Sequence, residues 1–197
     1  MAQFISTDAL GALITARLHP ESAAPLVVAL DGRCGSGKTT LANWLAQQLH
    51  CPVLHTDDFY LPLSARCENW QQQPGANMDF YRLRQEVLQP LLCAQPAQYR
   101  AYSCAAGAFL PPAPLPSAPL TILEGSYSLH PALQTEFAVR VFVTCPPDVQ
   151  AARLQAREGA RYAQFVQRWI PLEEGYFAAH DPAARCDFVL DTADIFV

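Results

Sequence analysis

Runs of apolar residues alternate along this chain with segments in which apolar residues recur at helical spacing. Leu26–Leu30 is a short continuous apolar run, typical of a strand that is buried on both faces of a parallel sheet. Leu120–Leu123 and Val139–Thr144 are rich in β-forming residues, and Pro52–His55 and Phe188–Leu190 are shorter candidate strands. The alternation predicts an α/β fold, a three-layer α/β/α sandwich around a mostly parallel sheet.

Helical segments are predicted before, between and after these runs. Ser6–Leu18 is amphipathic, and His19-Pro20 is predicted to end it. The other predicted helices are Thr39–Leu49, Arg82–Leu92, Pro147–Arg157 and Tyr162–Ala179. By contrast, Phe109–Pro119 is too rich in proline for a helix or a strand, so we expect a stiff surface loop there.

The composition favours one folded domain with an acidic surface. Of the 197 residues, 51% are hydrophobic, so the chain can bury a core, and a single domain is expected over residues 1–197. The formal net charge of −5 argues against general nucleic-acid binding, which needs a basic surface. Lys38 is the only lysine in the sequence. Its retention marks a position where a compact ammonium group on a flexible stem is needed.

The seven cysteines are scattered, and no CxxC pair occurs. This spacing gives no support to a zinc site or a disulfide framework and fits a reducing compartment, so we expect a cytoplasmic protein. The sequence shows no signal peptide and no run that could span a membrane. The expected partner is a small molecule rather than nucleic acid or a membrane, and assembly into a homo-oligomer is left open.

A phosphate-binding motif lies between a predicted strand and a predicted helix. Gly32–Thr39 matches G-x-x-x-x-G-K-[ST] in full, with glycines that let successive N–H groups point at one centre. Lys38 is expected to reach the β- and γ-phosphates of ATP, and the Thr39 hydroxyl to bind Mg²⁺. ATP and Mg²⁺ are therefore the expected cofactors. The predicted nucleotide contacts are Gly32, Arg33, Cys34, Gly35, Ser36, Gly37, Lys38, Thr39 and Thr40.

Carboxylates follow the other predicted strands, at the sheet edge where α/β proteins bind ligands. One carboxylate can take the proton of an acceptor hydroxyl and another can hold the metal, and Asp57, Asp58 and Glu124 are the candidates. Adjacent side chains on an extended chain point in different directions, so only one of the two aspartates is expected to face the γ-phosphate. Asp31 either shapes the glycine loop or faces the site. His55 is interpreted as a structural residue at a strand end.

Together these residues resemble the uridine kinase-like branch of P-loop kinases, which also includes phosphoribulokinase and pantothenate kinase. The resemblance extends from about Leu26 to the end of the chain. It implies a P-loop NTPase sheet with a small helical lid at residues 153–180 and an acceptor-side insertion at residues 60–115. The residues that carry it are Asp31-Gly32-Arg33, Asp57-Asp58-Phe59-Tyr60, Asp79, Glu124-Gly125-Ser126-Tyr127 and the segment Arg153–Arg161.

The resemblance also implies roles for acceptor-side and metal-side residues. The family's catalytic base corresponds to Asp57, which is also a metal candidate, and the tyrosine that lies along the acceptor corresponds to Tyr60. Asp79 stands where the family supplies a carboxylate to ribose hydroxyls. Glu124 stands where the family has a glutamate near Mg²⁺. Tyr102 lies in the nearest counterpart of the segment that reads a pyrimidine, but that segment lacks the family's Asp and His.

Arginines of the lid are expected to contact the phosphates and the acceptor. The candidates are Arg153, Arg157 and Arg161, whose i, i+4, i+8 spacing predicts one helix face. Arg157 is the candidate for a catalytic role. A second departure from nucleoside kinases is Phe80-Tyr81, which stands where they have His-Pro.

The sequence therefore predicts an ATP-dependent kinase with a nucleoside such as uridine or cytidine as acceptor. One alternative is a kinase of another hydroxyl metabolite, such as pantothenate, a sugar acid or a sugar phosphate. In that case Arg82, Arg100 or the lid arginines would bind the charge of the substrate. The other alternative is a nucleotide-dependent switch or binding module, which would show no turnover stimulated by an acceptor.

Overall fold

The computed structural model describes residues 2–18, 24–133 and 137–195. His19-Pro20, the predicted end of the first helix, lies outside these residues. None of the helices described combines the length and the apolar character needed to cross a lipid bilayer.

A parallel sheet of six strands crosses the centre of the described part of the molecule. Every neighbouring pair is parallel, so the sheet matches the predicted architecture. The spatial order is β1-β6-β5-β2-β4-β3. The strands are β1 (Gln3–Phe4), β2 (Leu26–Gly32), β3 (Val53–His55), β4 (Leu120–Glu124), β5 (Val139–Thr144) and β6 (Phe188–Asp191).

Helices connect the strands and cover both faces of the sheet. Two of them are composite. In α3, residues 80–92, a π-helical turn at Arg84–Leu88 joins Phe80–Leu83 to Gln89–Leu92. In α5, residues 162–180, a π-helical turn at Phe165–Trp169 joins Tyr162–Gln164 to Ile170–His180. The other helices are α1 (Thr7–Arg17), α2 (Lys38–Leu49), α4 (Pro147–Glu158) and α6 (Pro182–Arg185).

Short elements occupy the connection between β3 and β4. Three single 3₁₀ turns lie in this connection, at Thr56–Phe59, Leu63–Ala65 and Trp70–Gln72. Two others lie after β4, at Pro131–Leu133 and Gly159–Arg161. Gln98–Tyr99 pairs antiparallel with Ala113–Pro114, and Tyr102–Ser103 pairs with Ala108–Phe109. The prediction that Phe109–Pro119 contains no regular element was therefore wrong at two places, because Phe109 and Ala113–Pro114 pair with residues earlier in the chain.

Two apolar cores lie on opposite faces of the sheet, which makes the molecule a three-layer sandwich. On one face, α1 and α2 contribute Leu10, Ile14, Leu41 and Leu45 to a core with Val28 and Leu30 of β2. On the other face, α3 and α5 contribute Leu83, Val87 and Tyr176 to a core with Val27 and Leu123. Alternate residues of β2 thus point to opposite cores, as expected for a strand buried on both sides.

Candidate active site

The loops after β2, β3 and β4 meet at one edge of the sheet. These three strands are neighbours, and their carboxyl ends carry the glycine loop, Asp57 and Glu124 respectively. All three line a cavity of about 1000 Å³. The structure therefore brings together the groups that the strand-end pattern predicted. This edge is where α/β sheets bind ligands.

The glycine loop has the geometry of an anion site. Gly35 and Gly37 have φ angles of +74° and +88°, which L side chains rarely adopt. The Lys38 ammonium donates to the carbonyls of Gly32 and Arg33, at 2.8 Å each. In the described residues, protein acceptors are missing for the amides of Gly35, Gly37, Lys38 and Thr39, and the buried Ser36 hydroxyl has no hydrogen-bond partner. Unpaired amides at a helix N-terminus fit a nucleotide phosphate tail.

Asp31 supports the glycine loop and does not line the cavity. The sequence left open whether Asp31 shapes the loop or faces the site, and its position favours the first. Its carboxylate is fully buried and accepts from the amides of Gly32 at 2.7 Å, Tyr127 at 3.2 Å and Leu129 at 2.9 Å. The Tyr176 hydroxyl donates to it at 2.6 Å. Burial raises the pKa of Asp31 to about 6, although these donors act in the opposite direction.

Two adjacent glutamates of α5 hold the first half of the loop. Glu173 accepts from the Cys34 amide at 2.9 Å and from the Ser126 hydroxyl. Glu174 forms a two-bond ion pair with Arg33, at 2.5 Å and 2.9 Å. The side chain of Arg33 is therefore engaged by the protein. The predicted contact between Arg33 and the nucleotide would be made by the backbone of this residue. Burial raises the pKa of the Cys34 thiol, so this cysteine is not a thiolate at neutral pH.

The metal side of the cavity contains Thr39 and Glu124. The Thr39 hydroxyl lies 3.2 Å from Glu124 Oε1, and His55 Nδ1 lies 2.5 Å from the same oxygen. This hydrogen bond raises the pKa of His55. The next residue, Gly125, has a φ of +133°, and a Cβ there would lie 1.9 Å from Thr56 Oγ1.

These two oxygen donors fit Mg²⁺, which binds through one or two protein groups together with water and phosphate oxygens. The described residues contain no cluster of three or more His, Cys, Asp or Glu side chains that could hold a metal without a nucleotide. A metal site here would therefore be completed by the phosphates of the nucleotide.

Asp57 faces the cavity and Asp58 does not. Asp57 lines the cavity and accepts a hydrogen bond from the Tyr60 hydroxyl at 3.0 Å. Asp58 instead accepts from the Tyr99 hydroxyl at 3.2 Å. Although Asp57 is open to the cleft, protein encloses it on several sides, and this desolvation raises the pKa of its carboxyl, with the charge of Glu124 adding to the effect.

Two other residues that were predicted to contact the acceptor, Asp79 and Tyr102, lie outside the cavity. Asp79 caps α3 by accepting from the Arg82 amide at 3.0 Å, and its second oxygen lies 3.4 Å from Arg82 Nε. Tyr102 is buried and packs edge-to-face against Phe109 at 5.3 Å between ring centres. Neither side chain lines the cavity. Tyr60 does line it, as predicted.

The three lid arginines line the cavity but are held differently. Arg153 donates to the hydroxyl and carbonyl of Thr192, at 2.8 Å and 2.7 Å. Arg157 and Arg161 are exposed and pair with Glu158, at 2.8 Å and 3.0 Å. Because α4 ends at Glu158, the prediction that all three lie along one helix face was wrong for Arg161.

Sequence reasoning missed the roles of Glu173 and His55. Each acts through a contact with a residue distant in the chain, so no local spacing indicated these two roles. Cys104 and Ala105 also line the cavity without having been predicted. The one available signal was the pair of acidic residues in an otherwise apolar part of α5.

Comparison with protein families matched residues 26–106 to the NACHT domain, which is a P-loop NTPase domain. This match covers under half of the chain. Comparison with curated proteins found no match.

Three solved structures resemble the chain over most of their length. A possible uridine kinase from Bacillus stearothermophilus has a TM-score of 0.71 and 23% identity, covering 94% of this chain and 97% of its own. A protein described as a fructose transport system kinase from a Silicibacter species has a TM-score of 0.66 and 22% identity, with coverages of 94% and 98%. D-glycerate 3-kinase from Cryptococcus neoformans has a TM-score of 0.55 and 18% identity, with coverages of 86% and 87%. The chain therefore has the fold of the P-loop kinases.

Proposed function

We propose that the protein is a kinase that transfers the γ-phosphoryl group of ATP, with Mg²⁺, to a hydroxyl group of a small molecule. One observation carries this proposal: the Asp57 carboxylate faces the same cavity as the glycine loop and Glu124. A carboxylate in this position can take the proton of an acceptor hydroxyl, which is the acid–base step that a kinase of hydroxyl compounds needs. The resemblance in fold to kinases of small hydroxyl compounds supports the same reaction class.

In the proposed mechanism, the chain positions the reactants and neutralises charge. The loop amides and Lys38 hold the phosphates, and Thr39 and Glu124 hold Mg²⁺, which when bound neutralises charge on the transferring group. Asp57 accepts the proton of the acceptor hydroxyl as its oxygen bonds to the γ-phosphorus, and the bond from that phosphorus to the β–γ bridging oxygen breaks, which releases ADP. The raised pKa of Asp57 brings it closer to that of a working base at neutral pH. Arg157 and Arg161, which are exposed in the lid, supply positive charge at the open side of the cavity.

The same proposal assigns a role to each of two regions of the chain. Residues 153–180 act as the lid, since Arg153, Arg157, Trp169 and Glu173 line the cavity. Residues 60–115 hold the acceptor, and Tyr60 and Cys104 line the cavity from this region. The cysteines described are all free, which fits a cytoplasmic location.

Two classes of acceptor follow from the sequence. A nucleoside such as uridine or cytidine is supported by the resemblance of the chain to the uridine kinase-like branch and to a possible uridine kinase. A hydroxyl metabolite without a base is favoured by one specific observation. Asp79 and Tyr102, the side chains that would contact ribose and pyrimidine, are engaged by protein groups outside the cavity.

The reaction is tested by replacing each of the adjacent aspartates. Asp57→Asn should lower acceptor-dependent ADP release by ~10²–10⁴-fold, because the general base is lost, while ATP affinity stays nearly unchanged. Asp58→Asn is the matched control and should keep most of the activity, because Asp58 is turned to Tyr99. Equal effects of the two substitutions would remove Asp57 from the role of base. Nucleotide hydrolysis that no hydroxyl compound stimulates would favour a nucleotide-dependent switch.

A further inference from the structure

A second cavity of about 490 Å³ lies beside the main one, between residue 71 of the acceptor-side segment and residues 164–172 of the lid. Gln164 lines both cavities, so the two are adjacent. The lining is mostly polar, and its only charged side chain among the described residues is Arg168. The lining residues are Gln71, Gln164, Gln167, Arg168, Pro171 and Leu172.

Arg66 lines neither cavity itself, but it lies against Tyr60, which lines the main cavity, and against Trp70, which precedes a residue that lines the second. Its guanidinium lies over the ring of Trp70, 4.6 Å from the ring centre, and 6.0 Å from that of Tyr60. Trp70 precedes Gln71, which lines the second cavity, and Tyr60 donates to Asp57 in the main cavity. A single aromatic side chain thus separates Arg66 from the carboxylate that we propose as the base.

Arg66 and Arg168 both lack an acidic partner in the part of the chain that the structure describes. Arg66 uses only Nε, which donates to the Leu61 carbonyl at 2.9 Å, and its two terminal nitrogens have no protein acceptor. Burial lowers the pKa of Arg66, and the nearby charge of Arg168 acts in the same direction. Both guanidinium groups carry a positive charge, and an anion bound by both would offset the repulsion between them.

Two of the arginines that the sequence suggested for an acidic substrate, Arg82 and Arg100, are already engaged. Arg82 is buried and donates to the carbonyls of Arg100 and Asp58, at 2.5 Å and 3.0 Å. Arg100 lies 4.0 Å from Glu86. Their donors and charges are used to hold the acceptor-side segments together, whereas the terminal nitrogens of Arg66 are not.

We propose that Arg66 and Arg168 bind an anionic group of the acceptor, so that the substrate is a hydroxyl compound bearing a carboxylate or a phosphate. The inference rests on the proposed kinase function and specifies the substrate class of that site. Guanidinium groups match the planar oxygens of both anions with paired hydrogen bonds. The neighbouring glutamine amides, at residues 71, 164 and 167, can bind further hydroxyls of the same molecule.

The kinetic test compares acceptors that differ only in charge. ADP release is measured with glycerol, D-glycerate and glycerol 3-phosphate, with ribose and ribose 5-phosphate, and with uridine. We expect kcat/KM to be at least tenfold higher for an anionic compound than for its neutral counterpart, and the comparison of carboxylate with phosphate identifies the anion. In Arg66→Gln and Arg168→Gln this preference should fall toward unity through a rise in KM. Arg185→Gln is the matched control and should keep it, because no residue of α6, which contains Arg185, lines either cavity.

A binding test separates this inference from the kinase proposal. The fluorescence of Trp70 and Trp169 is followed while D-glycerate or glycerol 3-phosphate is added to the protein with saturating ADP and Mg²⁺, which occupy the glycine loop. Saturable binding that weakens at least tenfold in Arg66→Gln supports the anion site even if no compound stimulates ADP release, in which case only the kinase proposal fails. Equal use of neutral and anionic acceptors, or no anion binding that depends on Arg66, overturns the inference.

Discussion

The two sides of the cleft are built in different ways. On the donor side, backbone groups form the site, and side chains distant in the chain hold it in place: Asp31, Glu173 and Thr192 each bond the loop or the residues beside it. On the acceptor side, single 3₁₀ turns and two-residue strand pairs carry the site, and side chains such as Tyr60 and Arg66 form its surface.

This difference indicates on which side of the cleft the ligand specificity can change. A site made of backbone amides needs its glycines and its supporting carboxylates together, so single substitutions there damage binding of any nucleotide. A site made of side chains on short surface elements can change its specificity one residue at a time. The chemistry is therefore expected to be fixed on the donor side and the acceptor to be selected separately.

Among the variants that compare the two sides, the largest effect is expected from removing the lysine of the donor side. Lys38→Ala should lower kcat/KM by ~10²–10³-fold, by the same factor for every acceptor, because a preorganised charge at the phosphates is lost. Lys38→Arg should not restore activity, since a planar guanidinium cannot replace the compact ammonium that lies 2.8 Å from two loop carbonyls. Kinetics with two acceptors check this, and a loss that differs strongly between acceptors would contradict the independence of the two sides.

A smaller effect is expected from the support beneath the loop. Tyr176→Phe removes the donor at 2.6 Å from buried Asp31 and should lower the free energy of unfolding by ~1.5–3 kcal/mol. For a chain of this size that corresponds to a fall in Tm of roughly 3–12 °C. Thermal unfolding without ligand measures it. Tyr60→Phe, whose hydroxyl bonds the cavity-facing Asp57, is the control and should change Tm less.

The lid arginines allow a sharper division between support and chemistry. Arg157→Gln should lower kcat ~10-fold or more with little change in Tm, because its guanidinium is exposed and paired only with Glu158 in the described residues. Arg153→Gln should instead lower Tm, because its guanidinium anchors Thr192 through two hydrogen bonds. Both quantities are measured on both variants, and an unchanged Tm for Arg153→Gln would place this residue with the chemistry.

The smallest expected effect is a shift in pH dependence. The pKa of Asp57 is raised above its usual value of 3.8, so the base becomes protonated, and activity falls, at a higher pH than for an ordinary aspartate. A plot of kcat/KM against pH should therefore show an acidic limb above 3.8 that is absent from the residual activity of Asp57→Asn. An acidic limb that persists in Asp57→Asn would belong to another group.

The sequence predicted the elements whose signals are local. The apolar run of β2, the glycine motif and the carboxylates at strand ends carry their information within a few residues. Strand-end position then places Asp57 and Glu124 beside the loop through a topological rule, and the structure bears this placement out.

The remaining features depend on contacts between distant residues. Gln3–Phe4 is too short to signal a strand, and it exists because it pairs with Phe188 and Val189. The strand pairs that involve residues 98–114 likewise need their partners. The contact between Glu173 and the Cys34 amide joins residues 139 positions apart, so no spacing rule could have found it. Tertiary pairing decided these elements rather than local propensity.

The contact between the Thr192 hydroxyl and the Ser36 carbonyl, at 2.7 Å, spans 156 positions of the chain. At translation rates of ~5–20 residues per second, the glycine loop is synthesised roughly 8–30 s before Thr192. Until then the growing polypeptide carries the glycine motif without the Thr192 hydroxyl, which fastens the motif to the end of β6. The glycine loop is therefore expected to reach its fastened geometry only after Thr192 has been made.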